Sequence, residues 1–450
     1  MDIRNRAFVS VALVVVGITV AVIAGIIPSS EGGVQAQGIV LDYGDFDTEW
    51  AEADVASYET SVELLQAVCD ERGYEVVITE SGEISSINGM ANGEKSWGFW
   101  VIYPGSSTWV ELDAPYDEDP SEFTIASWSY LGDGEEPTVA VDYNGNPIYG
   151  YSQKYRVVSL SPTITEIVAS LKAENILVGV DSYSNYPESV VSNTQNGKIA
   201  VVGTYTSPSF ELITGTNPDI VFCDGSQRSH MQMSVQLRAS SVDSVLLYPG
   251  EDLESILDNI FIVGMVMNYE LVSDQLIADT NDIIDRLTEK VLGPEGGPAP
   301  EVMISLEPDI SPWVSGDGTY AENMVELFNG NNVFSEWAGW VHITSDRIPY
   351  ANPDLIIIIT TEYSATQEEY DQLYHSLSAQ WQDTDAWKEG NVYVLCEGAA
   401  EMAQRFGPRT GEFAELMAMI LHPSAFDTEL PKYIGNDYAD YLSYNDYLDM

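Results

Sequence analysis

Apolar residues follow three different rhythms along the chain. The first is an unbroken run over residues 7–27, preceded by Arg4 and Arg6 and closed by Pro28-Ser29-Ser30. At a rise of ~1.5 Å per residue this run spans about 30 Å, the thickness of a bilayer core. The second rhythm occupies residues 38–131 and mixes strand-like alternation with one helical segment. Ile39-Val40-Leu41 predicts a strand. Thr60-Ser61-Val62-Glu63 predicts a capping box, opening a helix that turns Val62, Leu64, Leu65 and Val68 inward and stops at Gly73. Strands are predicted over 74–79, 97–103, 109–112 and 123–130, with a tight turn at Asn88-Gly89. The third rhythm starts at Arg156 and alternates strands with helices. Strands fall over 156–161, 177–180, 220–223 and 242–248, and Pro162 opens a helix that runs to 171. One helical pattern then continues over 251–292 until Gly293-Pro294 stops it. Beyond it come strands over 302–306, 355–359 and 392–395, and helices over 321–328 and 411–421.

Alternation of this kind predicts an α/β class, with sheets covered by helices and a ligand at the carboxyl ends of the strands. The division expected is an anchor or signal with its linker (1–37), a small α+β, β-grasp-like domain (38–131), a Gly-, Asp- and Pro-rich linker (132–153), a first lobe (154–250), a connecting helix (251–292) and a second lobe with a Tyr-rich tail (293–450). A helix of that length is a stiff brace, so little relative motion of the lobes is expected.

Charge narrows the function. The chain has 71 acidic and 17 basic residues, a net charge of -54. Nucleic acid is excluded as a partner, because phosphate recognition needs a Lys/Arg footprint. So acidic a surface suits a protein held outside the cell. Arg4 and Arg6 predict an inside N-terminus with all that follows outside. Val34-Gln35-Ala36 also offers a cleavage site, so the run is read as a retained transmembrane helix or a cleaved signal that leaves a secreted protein. No cysteine follows it, which excludes a bacterial-type lipid anchor. The three cysteines, Cys69, Cys223 and Cys396, form no C-x-x-C pair and are read as buried small hydrophobes. His230, His342, His375 and His422 lack metal-ligand spacing, no G-x-S-x-G elbow is present, and GMANGEKS over 89–96 has the wrong glycine spacing for a phosphate loop. No enzyme activity and no resident cofactor or metal are expected.

The stretch Arg156-Val157-Val158-Ser159-Leu160-Ser161-Pro162, with Thr165-Glu166, Leu177-Val178-Gly179-Val180 and Tyr183-Ser184-Asn185-Tyr186-Pro187, resembles the opening of cobalamin-binding periplasmic proteins. Their wider family also includes ferric-siderophore and haem binders. Asn217-Pro218-Asp219 and Asn352-Pro353-Asp354 resemble its repeated strand openings, one in each lobe. The resemblance covers residues 154–430. It implies the class III periplasmic-binding-protein fold and a role in delivering cobalamin or a related corrinoid to an ABC importer permease, with the protein a monomer.

Carried over position by position, Tyr186, Tyr205, Trp313 and Trp340 fall where cleft aromatics are similar, and Arg405 falls where it meets amide carbonyls or an anionic ligand. A tryptophan expected after the Asp219 strand is replaced by Asp224. Glu211 and Asp346 match the paired acids that dock such proteins on permease arginines. The segment Ser86-Ile87-Asn88-Gly89 with Ser96-Trp97-Gly98-Phe99-Trp100-Val101-Ile102-Tyr103 resembles the small C-terminal domain of transcobalamin and intrinsic factor, which makes Trp97 and Trp100 further ligand contacts by resemblance. The alternatives are a ferric-siderophore or haem binder of an importer, and a surface sensor or adhesive protein of the same fold without transport.

Overall fold

The computed structural model describes residues 38–443, apart from 44–47, 54, 80–82, 104–108, 113–118, 121–122, 124, 133, 136, 138–139, 144–146, 149–155 and 294–297. The apolar run over 7–27 lies outside the described residues. Among the described residues no helix is long and apolar enough to cross a membrane.

The first domain is built on a mixed five-stranded sheet in the spatial order Thr48–Glu52, Gly38–Asp42, Ile125–Leu131, Ser96–Ile102, Val110–Leu112. Gly38–Asp42 runs parallel to Ile125–Leu131, and the other pairs are antiparallel. Alternation along Ser96–Ile102 sends Trp97, Phe99 and Val101 to the buried face. There they meet Leu64, Leu65, Val68 and Cys69 of the Ser61–Arg72 helix, closing a core separate from that of the lobes. The predicted cap is present in altered form. Thr60 Oγ1 accepts from Glu63 N–H at 3.2 Å, but the Glu63 carboxylate accepts from Glu59 N–H, also at 3.2 Å. At the predicted tight turn Asn88 and Gly89 have φ of 51° and 80°, the left-handed pair that short hairpins require.

The segment between the domains is not a free linker. Ala140–Val141 pairs antiparallel with Pro147–Ile148. Tyr143 N–H donates to Leu246 O at 2.7 Å, and the buried Asp142 carboxylate accepts from Leu246 N–H and Arg238 Nη2, both at 3.2 Å. The edge strand Ser244–Leu247 of the next sheet is thereby covered, which satisfies backbone groups that an open edge would expose.

The first lobe holds a parallel sheet in the order Ala200–Val201, Leu177–Val180, Val157–Ser159, Ile220–Asp224, Ser244–Leu247. The second lobe has a seven-stranded mixed sheet centred on Glu301–Leu306, Leu355–Ile359 and Val392–Leu395. Both Asn-Pro-Asp segments act alike. Asn217 and Asn352 take left-handed φ of 50° and 44°. Asp219 N–H donates to Arg156 O and Asp354 N–H to Glu301 O, each at 2.8 Å. Each motif thus fixes the register of a central strand against its neighbour. Tyr433–Ile434 of the Tyr-rich tail adds a last strand beside Val392–Leu395. All three cysteines are free and buried, and burial pushes the Cys396 thiol up to about 12.

The connecting element departs from expectation. It is two helices, Leu253–Met267 and Glu270–Leu292, not one over 251–292. Asn268 takes the left-handed C-cap conformation at φ 65°, and Tyr269 N–H closes back on Gly264 O at 2.8 Å. The next helix returns so close that a Cβ on Gly264 would stand 2.2 Å from Ser273 Oγ. The apolar rhythm hides this break because Ile256, Ile260 and Val263 bury into the same core as Leu276, Ile283 and Leu287. The brace is therefore the 23-residue second helix, about 34 Å long.

Candidate functional site

The carboxyl ends of the first lobe's strands face the second lobe across a cleft. Pro162 at the first position of the Pro162–Ser170 helix starts that helix directly after the Val157–Ser159 strand, bringing Glu166 one turn in. The Glu166 side chain is 1% exposed. Arg409 of the second lobe grips it with a two-pronged fork, Nε to Oε2 at 2.7 Å and Nη2 to Oε1 at 2.8 Å. Arg405 adds Nη1 to Oε1 at 2.9 Å and reaches Glu401 at 3.5 Å. Asn185 Nδ2 donates across the cleft to Glu401 Oε1 at 2.7 Å. The Tyr186 ring covers the Arg409 guanidinium at 4.4 Å, and Arg409 Nη1 donates to Tyr438 Oη at 3.3 Å. Burial opposes the Arg409 charge, yet Glu166 outweighs it and raises the Arg409 pKa. These contacts pin the two lobes together.

Beside this clamp lies a pocket of about 100 Å³, lined by Thr163, Tyr205, Asp224, Tyr248 and, from the second lobe, Gln404 and Phe406. Its floor is a closed polar network. Tyr205 Oη donates to Asp224 Oδ2 at 3.1 Å, and Ser226 donates through N–H and Oγ to Asp224 Oδ1 at 2.9 and 2.6 Å. His230 Nδ1 accepts from Asp224 N–H at 3.0 Å, which leaves Nε2 to donate to Tyr205 O at 2.6 Å. Burial lowers the His230 pKa, against the pull of Asp224, and keeps the ring neutral. Asp181, at the end of the Leu177–Val180 strand, accepts from Ser184 Oγ at 2.5 Å, and burial raises its pKa. In the second lobe Glu307 follows the Glu301–Leu306 strand and accepts from Thr360 Oγ1 at 2.5 Å. Burial first, then Glu362 and Asp309, raise its pKa. The strand ends therefore carry carboxylates, Asp224 and Glu307 partly exposed and Asp181 buried, while both arginines at the clamp are engaged by Glu166.

The aromatic positions divide. Tyr186 and Trp313 are 42% and 49% exposed. Trp313 pairs in register with Leu306, at the carboxyl end of its strand, and its ring lies 5.5 Å from that of His342. Tyr205 belongs to the pocket network. Trp340 is half-buried and packs on the main core. Arg405 lies in the clamp, so its fork is already occupied by acids of this chain. In the first domain Trp97 is core, its indole N–H donating to Met90 O at 2.8 Å. Trp100 is on the other face, over Gly98, where a Cβ would meet its Nε1 at 2.9 Å. Glu211 and Asp346 are exposed, on the first turn of Phe210–Gly215 and just before Arg347–Ala351. The Asp224 network, Tyr248 and the Glu307–Thr360 pair carry no motif. The signal for them was position, since Asp224, Glu307 and Thr360 stand directly after predicted strands and Tyr248 ends one.

The family described as "Periplasmic binding protein" matches residues 157–398. The chain is 23% identical over 291 residues to an uncharacterized ABC transporter substrate-binding lipoprotein of Bacillus subtilis, covering 64% of this chain and 87% of that one. A periplasmic heme binding protein from Pseudomonas aeruginosa superposes with a TM-score of 0.52 at 20% identity, over 61% of this chain and 94% of that one. The CeuE protein of Helicobacter pylori, solved as a nickel-histidine complex, superposes with a TM-score of 0.55 at 15% identity, over 70% of this chain and 96% of that one. At these identities the superpositions establish a common fold for the two lobes.

Proposed function

The chain belongs to the periplasmic binding protein family, and from that premise we propose that it is an extracytoplasmic solute-binding protein that captures a corrinoid such as cobalamin and delivers it to an ABC importer permease. The observation that carries the ligand class is the chemistry of the cleft. Partly exposed carboxylates stand at the strand ends at Asp224 and Glu307, aromatic faces are exposed at Tyr186 and Trp313, and the clamp arginines are engaged by Glu166. Haem carries two propionates, and many ferric siderophores carry carboxylate or catecholate charge. Such ligands meet repulsion here. A corrin is broad, flat-faced and fringed with neutral amides. Its faces suit aromatic rings, and its amide N–H groups suit carboxylate acceptors.

The 100 Å³ pocket is far smaller than the ~300–1,000 Å³ of a typical ligand site. In this reading it receives one amide arm, while the ring lies in the open cleft. Residues 7–27 would hold the protein at the membrane or direct its export. Half-buried Trp100, on the face of the first-domain sheet opposite Trp97, is a second contact for the same ligand in this reading.

Isothermal titration of the full-length chain in detergent micelles tests the ligand class. Tight one-to-one binding of cyanocobalamin is expected, weakened about tenfold by Trp313→Ala, with no heat from haem or a ferric hydroxamate. Binding of an iron complex alone would overturn the corrinoid reading and leave the transport role standing. Docking through Glu211 and Asp346 is tested by uptake. The double substitution Glu211→Lys and Asp346→Lys is expected to abolish import while leaving ligand affinity unchanged. Undiminished import removes the two acids from docking.

A further inference from the structure

The segment that joins the two domains reaches the wall of the cleft, and Tyr143 is the residue it brings there. Its position is fixed from both sides. Asp142 is held by Leu246 N–H and by Arg238, and Tyr143 N–H is held by Leu246 O at 2.7 Å. The ring lies beside Gly225, where a Cβ would stand 2.4 Å from Leu247 O and 2.7 Å from the ring's Cδ1, so only glycine fits there. It also meets the Tyr248 ring at 5.8 Å between centroids, edge to face. Gly225 lies between Asp224 and Ser226. Those two residues, with Tyr248, line the pocket between the lobes.

Tyr143 therefore stands on the outer rim of the pocket wall, and it is still 39% exposed. Its place is set by the linker, because the backbone bonds that hold it go to the sheet edge and not to a residue of the cleft. We propose that Tyr143 is a ligand-contacting, specificity-determining residue of the cleft, supplied by the linker and not by either lobe. This rests on the reading of the cleft as the site for a broad, flat, amide-fringed ligand. A ligand too large for the pocket must extend past its rim, and an aromatic ring there adds contact area at low entropy cost. The same attachment keeps the first domain near. Leu131 and Asp142 are eleven residue steps apart, which limits that span to about 36 Å.

The test is titration of the full-length chain and its variants with cyanocobalamin, haem and a ferric hydroxamate, paired with amide exchange at Leu246. Tyr143→Ala should weaken the probe that binds wild type about tenfold, leaving the other probes and Leu246 exchange unchanged. Tyr143→Phe should retain affinity. Asp142→Asn should both speed Leu246 exchange and weaken binding, because it releases the segment that carries the ring. If wild type binds cyanocobalamin and Tyr143→Ala binds it equally well, the inference fails and the ligand reading stands. If wild type binds none of the three, both fail.

Discussion

Replacing Glu166 with alanine is expected to cost about 3–5 kcal/mol of folding stability, because it removes the carboxylate that two buried guanidinium groups share and leaves Arg409 with no carboxylate partner among the described residues. The Arg409 side chain is 5% exposed and that of Arg405 11%, so neither can turn out to solvent without opening the contact between lobes. The attraction within the intact cluster does not exceed the cost of burying it by anything like this amount. The penalty comes from removing one partner only. Two further variants separate these effects. Glu166→Gln retains a carbonyl acceptor and is expected to fall between alanine and wild type. Simultaneous replacement of Glu166, Arg405 and Arg409 by apolar residues of similar volume is expected to recover most of the loss. Urea unfolding measures all three. A loss below about 1 kcal/mol for the alanine variant would mean that the cluster behaves as an exposed ion pair and does not clamp the lobes.

Trp128→Ala is the counterpart in the first domain, with an expected loss of about 3–5 kcal/mol. The indole is 2% exposed and packs at 4.9 Å on Phe99, at the centre of a core that shares no residue with that of the lobes. A domain of this size has only about 5–15 kcal/mol in total. The variant should therefore lower or abolish one calorimetric transition while the transition of the lobes stays in place. Trp128→Phe is expected to be far milder. The Trp128 indole N–H is buried without a hydrogen-bond partner among the described residues, so phenylalanine removes an unsatisfied donor together with part of the volume. A single transition that moves as a whole with Trp128→Ala would show that the first domain and the lobes unfold together.

Much of the fold was legible because its strands and helices are long, periodic and punctuated by Pro and Gly. Pro162, Gly73 and the Asn88-Gly89 turn end or open elements where they were expected to. Short strands such as Thr48–Glu52 and Trp340–His342 escaped, since their sequences carry no repeating apolar face and depend on pairing with distant segments. The break at Asn268 escaped for the opposite reason. Both helices bury one side in a single core, so the apolar rhythm runs through the turn. Asn268 itself was the available signal, as a residue that readily adopts left-handed φ. At the site, exposed aromatics could be placed by resemblance. The pairing of Arg405 with Glu166 could not, because the two lie 239 positions apart in sequence and nothing local links them.

The three sequestered thiols make the surface of this protein a blank page for sulfhydryl reagents. Leu212, beside Glu211, is 52% exposed, and Tyr350, four residues after Asp346, is 86% exposed. A Leu212→Cys, Tyr350→Cys pair therefore gives one fluorophore on each lobe in an otherwise unreactive background. Energy transfer between the two dyes would read the separation of the lobes directly, in free protein, with ligand, or on a transporter in a lipid disc.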